Sequence, residues 1–480
     1  MPQAAVHPLW GSLALLRQSN VSLQDQLGEF FRAAICEGRM QGGQRVPSTR
    51  QLALECSISR TTAVEAYQRL VAEGYFVTRP GAGIFVADPA PEHFELSAHG
   101  RAAPAAPRPD CTRIDMRNYL LPLAPGTPAI DHFPWSTWAR LINQVCHERP
   151  LNAVGYGDPQ GEYSLRQTIA EYLATARGIR CDADQIVVSA GSELTLEFVL
   201  RQIAYAGDKL LVEEPCGPYM RNVPRKAGLV PVPIQVDRDG LDVEDALRRA
   251  PDARLAIVSP THQYPTGATL SLARRQALVD WSESTGAWIV ESEIDGDYRY
   301  APQPLAPLFA LSQTQRVFYC GSLSKPLAPG LRVNYLVVPR SLIGNLSMSP
   351  TLVPMLTQLV LARFNANGHL AAHMRRMRTL YARRRSVLLE ALSVQTAKYL
   401  TILGVPEGGL RVATAIKHDL DDVAFSRRCL AAGIKVDPLS ICYDGKGTSG
   451  LIIGFASTPE ERIPLAVATL AGEFRRELDS

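Results

Sequence analysis

The nine cysteines of this 480-residue chain are scattered, and no two of them form a CxxC pair. No histidines cluster beside them, which argues against a zinc module, and we predict no metal site. The same scatter argues against a disulfide framework and is typical of proteins of the reducing cytosol. We therefore expect a cytoplasmic protein whose fold does not depend on cross-links.

The chain also lacks long hydrophobic runs and carries little net charge. No apolar stretch approaches the length of a membrane helix, so no membrane partner is expected. Residues 1–10 have neither the charged start nor the apolar core of a signal peptide. The formal net charge is only +3, so bulk charge does not by itself indicate a nucleic-acid partner. With 46% hydrophobic and 20% charged residues, the composition is that of an ordinary globular protein.

The length suggests two or more domains, and composition divides the chain into three regions. Residues 18–88 form one compact pattern, and residues 89–114 form a Pro- and Ala-rich linker that includes the string AAPAAPRPD. From residue 115 to residue 480, short apolar strands alternate with helices, which predicts an α/β/α fold with a mostly parallel sheet covered on both faces. Its predicted strands are Gln185–Ser189, Lys209–Glu213, Leu255–Ser259, Trp288–Glu291 and Val317–Cys320. Two later candidates, Leu410–Thr414 and Leu451–Phe455, indicate a small C-terminal α+β subdomain.

The first region has the pattern of a winged helix-turn-helix. A helix is predicted over Thr49–Glu55, followed by a short turn and by Ser59 as the N-cap of a second helix. In that second helix, apolar residues repeat at helical spacing and form a core face: Ala63, Val64, Tyr67, Leu70 and Val71. Gly74 ends it. Two short strands, Tyr75–Arg79 and Ile84–Ala87, then form the wing.

The start of the second helix is the part that enters the major groove in such motifs. Ser59, Arg60, Thr61 and Thr62 lie there, where arginine can read guanine with two hydrogen bonds and threonine suits phosphates. Arg50 on the preceding helix and Gly81 at the wing tip are predicted to meet the DNA backbone or the minor groove. The alternative is a solvated helix surface with incidental arginines.

Three strings support the DNA-binding interpretation. PSTRQLA, SRTTAVEAYQRLVAEGY and RPGAGIFVA begin at residues 47, 59 and 79. Together they resemble the DNA-binding domain of the GntR superfamily over nearly all its length. The resemblance implies that the partner is a double-stranded DNA operator.

In the third region, Lys325 follows a predicted strand within the string GSLSKPLAPGLR. A lysine at such an exit can form a Schiff base with an aldehyde. Ser322, Ser324 and Arg332 would supply hydrogen-bond donors to a phosphate dianion, which arginine meets with a planar fork. The alternative is a surface loop with one basic residue.

Upstream, Gly191 and Ser192 lie between a strand and a helix, where backbone amides can hold a phosphate. A plain turn between strand and helix is equally compatible with that string.

The whole string from 321 to 332 resembles the lysine motif that holds pyridoxal 5′-phosphate (PLP) in fold-type I aminotransferases, specifically their MocR/GabR-type relatives. The strings YGDPQG from Tyr156 and SPTHQYPTG from Ser259 resemble the same family, so the resemblance covers almost the whole chain. It implies PLP as cofactor, a homodimer in which Tyr156 reaches the partner's phosphate, and Tyr264 in a loop beneath the cofactor. It further implies an effector that is PLP or a small amine. We interpret the Arg-rich run that follows His369 as structural or solvated.

Two ring contacts of that family are changed here. In the string IVESEID, Ser292 stands where the family has the Asp that keeps the pyridine nitrogen protonated, and Ile294 stands where it has a Tyr. On a strand these two residues share one face, while Glu291 and Glu293 point to the other. Glu293 is therefore no substitute unless a bulge shifts the register.

Two further positions depart from the pattern. Gly217 replaces a ring-stacking aromatic residue, for which Tyr219 is a possible substitute. Ile452 occupies a strand position that is often Arg in the enzymes, where it pairs with the substrate carboxylate. Losing that arginine removes an anchor of about 1.5–3 kcal/mol.

These changes predict a poor electron sink and weak or absent transamination. We therefore interpret the chain as a DNA-binding regulator that holds PLP on Lys325 and senses PLP or an amine. Two alternatives stay open. One is a working PLP aminotransferase with a DNA-binding appendage, and the other is a regulator that has lost PLP binding.

Overall fold

The computed structural model describes residues 15–17, 21–88, 116–293, 296–300, 305–347, 352–404 and 408–479. The chain divides into two compact units, Met1–Thr112 and Arg113–Ser480, and each is described by itself. The predicted linker, residues 89–114, lies outside the described residues, and so does Ile294. Within the described ranges, no helix is both long and apolar enough to cross a membrane.

In the residues that the structure describes, the first unit has three helices followed by an antiparallel hairpin. These elements are α1 (Leu23–Cys36), α2 (Thr49–Glu55), α3 (Arg60–Ala72), β1 (Phe76–Arg79) and β2 (Gly83–Val86). Ser22, Ser48 and Ser59 are the N-caps, and each side chain accepts a backbone N–H from the first turn of its helix. Such a cap stabilises a helix by about 1 kcal/mol. The predicted helix-turn-helix and wing are confirmed, with strand ends that differ by one residue.

Aromatic rings form the centre of this first unit. Phe31 of α1, Tyr67 of α3 and Phe76 of β1 are buried and pack edge to face, with ring centroids 5.2–5.5 Å apart. The Tyr67 hydroxyl donates a 3.0 Å hydrogen bond to the Pro47 carbonyl, which leads into α2. Because edge-to-face pairs and a buried hydrogen bond both depend on geometry, these contacts fix α3 against its neighbours.

An eight-stranded sheet lies at the centre of the second unit. Its strands are β3 (Ile186–Ser189), β4 (Lys209–Glu214), β5 (Val230–Asp237), β6 (Gly240–Leu241), β7 (Leu255–Val258), β8 (Trp288–Glu293), β9 (Val317–Ser322) and β10 (Asn334–Val337). The strand order is β3-β10-β9-β8-β7-β4-β5-β6. Strands β9, β8, β7, β4 and β5 are parallel to one another, whereas β10 and β6 run antiparallel to their neighbours. All five predicted strands are present, and β5, β6 and β10 are additional.

Helices cover both faces of this sheet, as predicted. The helices are α4 (Trp135–Glu148), α5 (Tyr163–Ala176), α6 (Ser192–Ile203), α7 (Tyr219–Lys226), α8 (Val243–Arg249), α9 (Leu272–Thr285), α10 (Leu308–Leu311) and α11 (Met355–Ala366). Successive strand residues point to opposite faces. Val187 accordingly packs in one apolar cluster with Val199 of α6, and Val188 packs in another with Leu141 of α4 and Ile169 of α5.

A smaller antiparallel sheet forms the C-terminal subdomain. Its strands are β11 (Leu400–Ile402), β12 (Arg411–Ile416), β13 (Asp437–Pro438) and β14 (Gly450–Gly454), in the order β11-β12-β14-β13. The remaining helices are α12 (His369–Gln395), α13 (Asp422–Ala431) and α14 (Ile463–Leu478). The Phe425 and Phe474 rings of α13 and α14 pack 4.2 Å apart.

The Arg-rich helix predicted after residue 368 is α12. Arg384 is buried and donates to the Ala456 carbonyl, and Arg383 pairs with Glu460 at 3.1 Å. Both contacts support the structural interpretation of this helix.

Candidate cofactor site and DNA-binding surface

The start of α3 carries the residues predicted to contact DNA. The Ser59 hydroxyl accepts the Thr62 backbone N–H at 3.0 Å and lies 2.8 Å from the Thr62 hydroxyl. These two side chains therefore close the first turn of the helix. Arg60 and Thr61 are exposed, as is Arg50 on α2. The exposed side chains are the ones that can reach bases or phosphates.

The wing adds two arginines that the sequence analysis missed. Gly81 at the tip is exposed and has φ +73°, which favours glycine. The Arg79 guanidinium lies 4.6 Å from the centroid of the Phe85 ring. Arg45 forms a bridge with Phe85, and its guanidinium lies beside Gly83, where an added Cβ would meet Nε at 3.2 Å. This non-local pairing, together with the hydrogen bond from the Val46 N–H to the Ile84 carbonyl, places Arg45 at the wing.

Lys325 lies in the loop that leaves the end of β9. Its Nζ donates a 2.8 Å hydrogen bond to the Gly126 carbonyl, from a segment far away in the chain. The loop is held by Ser324, whose hydroxyl lies 2.6 Å from the Val333 backbone nitrogen and 3.2 Å from the Val333 oxygen. Ser324 therefore fixes the loop backbone, and Lys325 extends from a constrained position.

The predicted Ser322 and Ser192 meet through a residue that sequence reasoning missed. The Asn334 side-chain amide lies within 3.1 Å of both hydroxyls. Asn334 begins β10, which pairs antiparallel with β3 and β9. An amide has both donor and acceptor atoms, so it can satisfy a hydroxyl on each side. The two strands and the start of α6 are thus tied together at this point.

Gly191 leaves room for the Arg332 guanidinium, whose Nη2 donates a 3.4 Å hydrogen bond to the Ala190 carbonyl. Gly191 precedes α6 with φ +107°, and an added Cβ would lie 2.3 Å from Nη2 of Arg332. Only glycine permits this approach of the guanidinium to the start of the helix. The first N–H groups of a helix and an arginine are favourable donors for a phosphate. The donor set of Ser192, Ser322 and Arg332 therefore fits the phosphate of PLP.

One cavity of about 530 Å³ joins these residues to the ring-facing positions. Lys325, Arg332 and Ser192 line it, together with Ser292 and Tyr219. An adjoining cavity of about 400 Å³ adds Gly191, Ser322 and Ser324 to its lining. The structure therefore brings six of the eight predicted cofactor residues to one place, and Tyr264 lines the first cavity as a seventh.

The space at Gly217 is occupied by a neighbouring aromatic ring. A Cβ added there would lie 3.1 Å from Cε1 of Tyr219. Tyr219 also lines the cavity, so its ring borders the same space as Gly217.

The acidic residues of β8 point away from the cavity, as expected from strand alternation. Glu291 accepts the backbone N–H groups of Leu308 and Phe309 at 2.9 Å each. Glu293 accepts the Thr261 N–H at 3.1 Å. The pairing of β8 with β9 is regular through Glu293, so no bulge in the described part of the strand rotates a carboxylate toward the cofactor position. Of these neighbouring β8 residues, Ser292 is the one that lines the cavity.

Strand β4 carries a buried carboxylate. Glu213 is 2% exposed and accepts the Ser259 N–H at 3.0 Å. Burial raises the pKa of Glu213 to about 7, above its ordinary value of 4.5.

The remaining predicted positions have distinct surroundings. Tyr156 is 96% exposed and lies on the surface of its own chain. Burial raises the pKa of Tyr264, and the Arg411 guanidinium lies 4.3 Å from the centroid of its ring. Ile452 is fully buried in an apolar cluster with Leu439 and Cys442. Arg411 also lines the cavity, and sequence reasoning missed it because it searched for an arginine only at position 452.

The comparisons with known proteins match each unit to a different family. Residues 121–470 match the aminotransferases of class I and II, and residues 23–86 match the gntR family of bacterial regulatory proteins. A kynurenine aminotransferase of Pyrococcus horikoshii, solved in complex with PMP, shares 25% identity and superposes with a TM-score of 0.68, covering 75% of this chain and 92% of that one. A multiple-substrate aminotransferase of Thermococcus profundus shares 26% identity, with a TM-score of 0.67 and the same coverage.

Full-length relatives contain both units. The probable rhizopine catabolism regulatory protein MocR of Rhizobium meliloti is 33% identical over 96% of each chain. The pyridoxine biosynthesis transcriptional regulator PdxR of Corynebacterium glutamicum is 30% identical over 96% of this chain and 97% of that one. The chain therefore belongs to the MocR-type transcriptional regulators, which join a GntR-family DNA-binding domain to an aminotransferase class I and II domain.

Proposed function

We propose that this regulator binds PLP through Lys325 and uses its aminotransferase-like unit to sense PLP or a small amine, with weak or no transamination. One observation carries the proposal. A single cavity is lined by Lys325, Arg332 and Ser192, which suit an aldehyde and a phosphate, and by Ser292 where the enzymes have a carboxylate. The donors for binding are retained while the group that drives turnover is absent.

Each residue has a distinct part in this proposal. Lys325 supplies the amine, and its hydrogen bond to the Gly126 carbonyl directs Nζ into the cavity. Arg332, Ser192 and Ser322 bind the phosphate. Three further residues shape the site: Gly191 admits the guanidinium, Ser324 fixes the loop, and Tyr264 borders the cavity below the ring position. Tyr156 reaches the phosphate of the partner in a homodimer, for which its exposed ring is suited.

Weak turnover follows from the groups that face the ring. Bound PLP supplies an aldehyde that condenses with amines and a ring that withdraws electrons. A nearby negative charge keeps the pyridine nitrogen of PLP protonated. The Ser292 hydroxyl carries no such charge. Ile452, buried among apolar side chains, offers no charge to a substrate carboxylate.

For DNA, we propose that α3 enters the major groove of an operator. Arg60 and Thr61 contact bases or phosphates, whereas Ser59 and Thr62 hold the first turn and present its backbone N–H groups. Arg50 and Gly81 contact the backbone or minor groove on either side. A cytoplasmic location belongs to the same proposal because the operator is there.

The visible absorption spectrum of the purified protein with added PLP tests the cofactor assignment. We expect the band of lysine-bound PLP in the wild type, trapped by borohydride, and no such band in Lys325→Ala. Lys209→Ala is the matched control, because Lys209 pairs with Asp252 at the surface and does not line the cavity. Its spectrum should equal that of the wild type. A wild type without the band at any PLP concentration contradicts the assignment.

Two other functions give different results. A working aminotransferase would convert common amino acids efficiently, which the Ser292 and Ile452 positions disfavour. A regulator that has lost PLP binding would be colourless with PLP and still bind its operator. The fit of the Gly191–Arg332 cradle to a phosphate favours retention of the cofactor.

A further inference from the structure

The carbonyl of Pro326, the residue that directly follows Lys325, is held from two sides. The Tyr298 hydroxyl donates a 2.9 Å hydrogen bond to it, and Nε2 of His373 lies 3.1 Å from it. A carbonyl oxygen only accepts, so His373 carries a proton on Nε2 and donates. Tyr298 belongs to the segment after β8 and His373 to α12. Two separate parts of the chain therefore meet at the backbone beside Lys325.

Both donors are buried. Tyr298 is 1% exposed and His373 is 2% exposed. Burial lowers the pKa of His373 to about 4, so near pH 7 the ring is neutral and has one N–H to donate. A buried donor that gives up its acceptor meets no water in exchange, which costs free energy. The two hydrogen bonds therefore hold the loop after the lysine in one position.

The same helix also holds the segment that meets the lysine amine. Eight residues after the histidine, on the same broad face of α12, the Tyr381 hydroxyl accepts the Ala129 N–H at 2.8 Å. Ala129 lies three residues after Gly126, whose carbonyl accepts the 2.8 Å hydrogen bond from Nζ of Lys325. The Tyr381 ring also packs edge to face on the Tyr298 ring, with centroids 4.7 Å apart. Helix α12 thus contacts the structure on both sides of the lysine.

We propose that His373 and Tyr298 are positioning residues for the Lys325 amine, and that α12 is the element that sets the place of this amine in the cavity. Neither side chain lines the cavity, so both act through the loop and not by contact with a ligand. The inference rests on the proposed function, in which Lys325 binds PLP. A lysine that is already directed loses less conformational freedom when its nitrogen bonds to the aldehyde carbon and water leaves. The loop contacts should therefore favour this bond and not the binding of the phosphate.

The test separates the bond to the lysine from the binding of the phosphate. Pyridoxine 5′-phosphate has the ring and phosphate of PLP but an alcohol in place of the aldehyde, so it cannot bond to the lysine. The full-length protein is titrated with PLP, followed by the absorption band, and with pyridoxine 5′-phosphate, followed by protein fluorescence. In Tyr298→Phe and His373→Leu, the PLP affinity should fall about threefold to tenfold, as expected when one more side chain must be immobilised on binding. The affinity for pyridoxine 5′-phosphate should stay the same.

A conservative variant distinguishes hydrogen bonding from packing. His373→Gln keeps an N–H group for the Pro326 carbonyl and should recover most of the PLP affinity that His373→Leu loses. His369→Leu is the matched control, because His369 lies one turn earlier on α12 and its Nε2 is 3.3 Å from Nη2 of Arg140. This control should bind both compounds like the wild type. If His373→Leu fails to fold, Tyr298→Phe, which removes one oxygen atom, replaces it.

Chemical labelling tests the position of the amine without PLP. The protein is treated with formaldehyde and cyanoborohydride, and methylation of Lys325 is followed by mass spectrometry, with the surface residue Lys209 as internal reference. Because the released loop exposes the amine, Lys325 should be methylated at least threefold faster in Tyr298→Phe than in the wild type, with the rate at Lys209 unchanged.

The outcomes distinguish positioning from a general effect on the fold. A parallel loss of affinity for PLP and pyridoxine 5′-phosphate, or wild-type PLP affinity in the folded variants, overturns the positioning role. A wild type without the PLP band contradicts the proposed function separately, and labelling then decides the inference alone. A methylation rate at Lys325 that is not raised in Tyr298→Phe overturns it.

Discussion

Replacing Gly191 with alanine perturbs the proposed phosphate site where the Arg332 guanidinium approaches the start of α6. The new Cβ would lie 2.3 Å from Nη2 of Arg332 and 3.0 Å from its Cζ, so the guanidinium must move away from the start of α6. The backbone also has φ +107°, a conformation that costs a residue with a side chain about 1–3 kcal/mol. The variant therefore combines a displaced arginine with backbone strain.

The two effects act on different measurements. Displacing Arg332 weakens a charge-assisted hydrogen bond to the phosphate, of about 1.5–3 kcal/mol, which corresponds to roughly tenfold to a hundredfold weaker PLP binding. Backbone strain is present with and without PLP. It therefore lowers the melting temperature and leaves the PLP affinity unchanged.

A PLP titration followed by absorption, with a parallel melting curve, separates these effects. Gly178→Ala is the matched control, because Gly178 has φ +68° and an added Cβ would meet no atom within 4 Å. It should lose stability and keep wild-type PLP affinity, whereas Gly191→Ala should lose both. Equal PLP affinity in the two variants would refute the cradle.

Three further predictions concern DNA binding and stability. Arg60→Ala should weaken binding of an operator fragment by about 1–3 kcal/mol without changing the melting temperature. An unchanged operator affinity, measured by fluorescence anisotropy, would contradict a contact between Arg60 and DNA. Tyr67→Phe removes the hydrogen bond to the Pro47 carbonyl and should lower the free energy of unfolding by about 1–2 kcal/mol. Denaturant titration measures this difference, and a variant as stable as the wild type would contradict the contribution of the hydrogen bond. The raised pKa of Glu213, about 7, means that the folded protein binds this proton more tightly than the unfolded chain does. Stability from this group should therefore fall as pH rises from about 4.5 to 7, and Glu213→Gln should flatten that decline. Parallel curves of unfolding free energy against pH for the two proteins would contradict it.

Most of the DNA-binding unit could be predicted because its signals are local. Ser59, the apolar spacing through Tyr67 and the Pro-Gly wing turn each determine structure within a few residues. The bounds of α2 are those predicted from the sequence. Arg45 was missed because its place beside the wing depends on a bridge to Phe85, forty residues later.

The larger sheet was predicted less completely. Strand β5 was missed because Pro231 and Pro233 remove backbone donors and argue against a strand. These prolines are tolerated because β6 pairs with β5 only at Val236 and Asp237, so the proline-bearing stretch has no β6 partner. The antiparallel β10 interrupts the alternating pattern and brings Asn334 to the site.

The presence of Arg411 in the cavity lining was missed for the same physical reason. Comparison with the family's motif considers one position at a time. The replacement of the usual arginine by Ile452 was therefore visible in the sequence. The place of Arg411 in the cavity lining depends on the pairing of β12 with β14, which are about forty residues apart in the chain. Such cross-strand placement is read from a sheet register and not from a motif.

The response of operator binding to PLP tests the central claim most directly. A labelled operator fragment, selected from random DNA by the wild-type protein, is titrated with protein at increasing PLP concentrations. We predict that PLP changes the operator affinity of the wild type and of Lys209→Ala, and leaves that of Lys325→Ala unchanged. The same PLP response in Lys325→Ala, or no response in the wild type, would contradict a sensor that acts through Lys325.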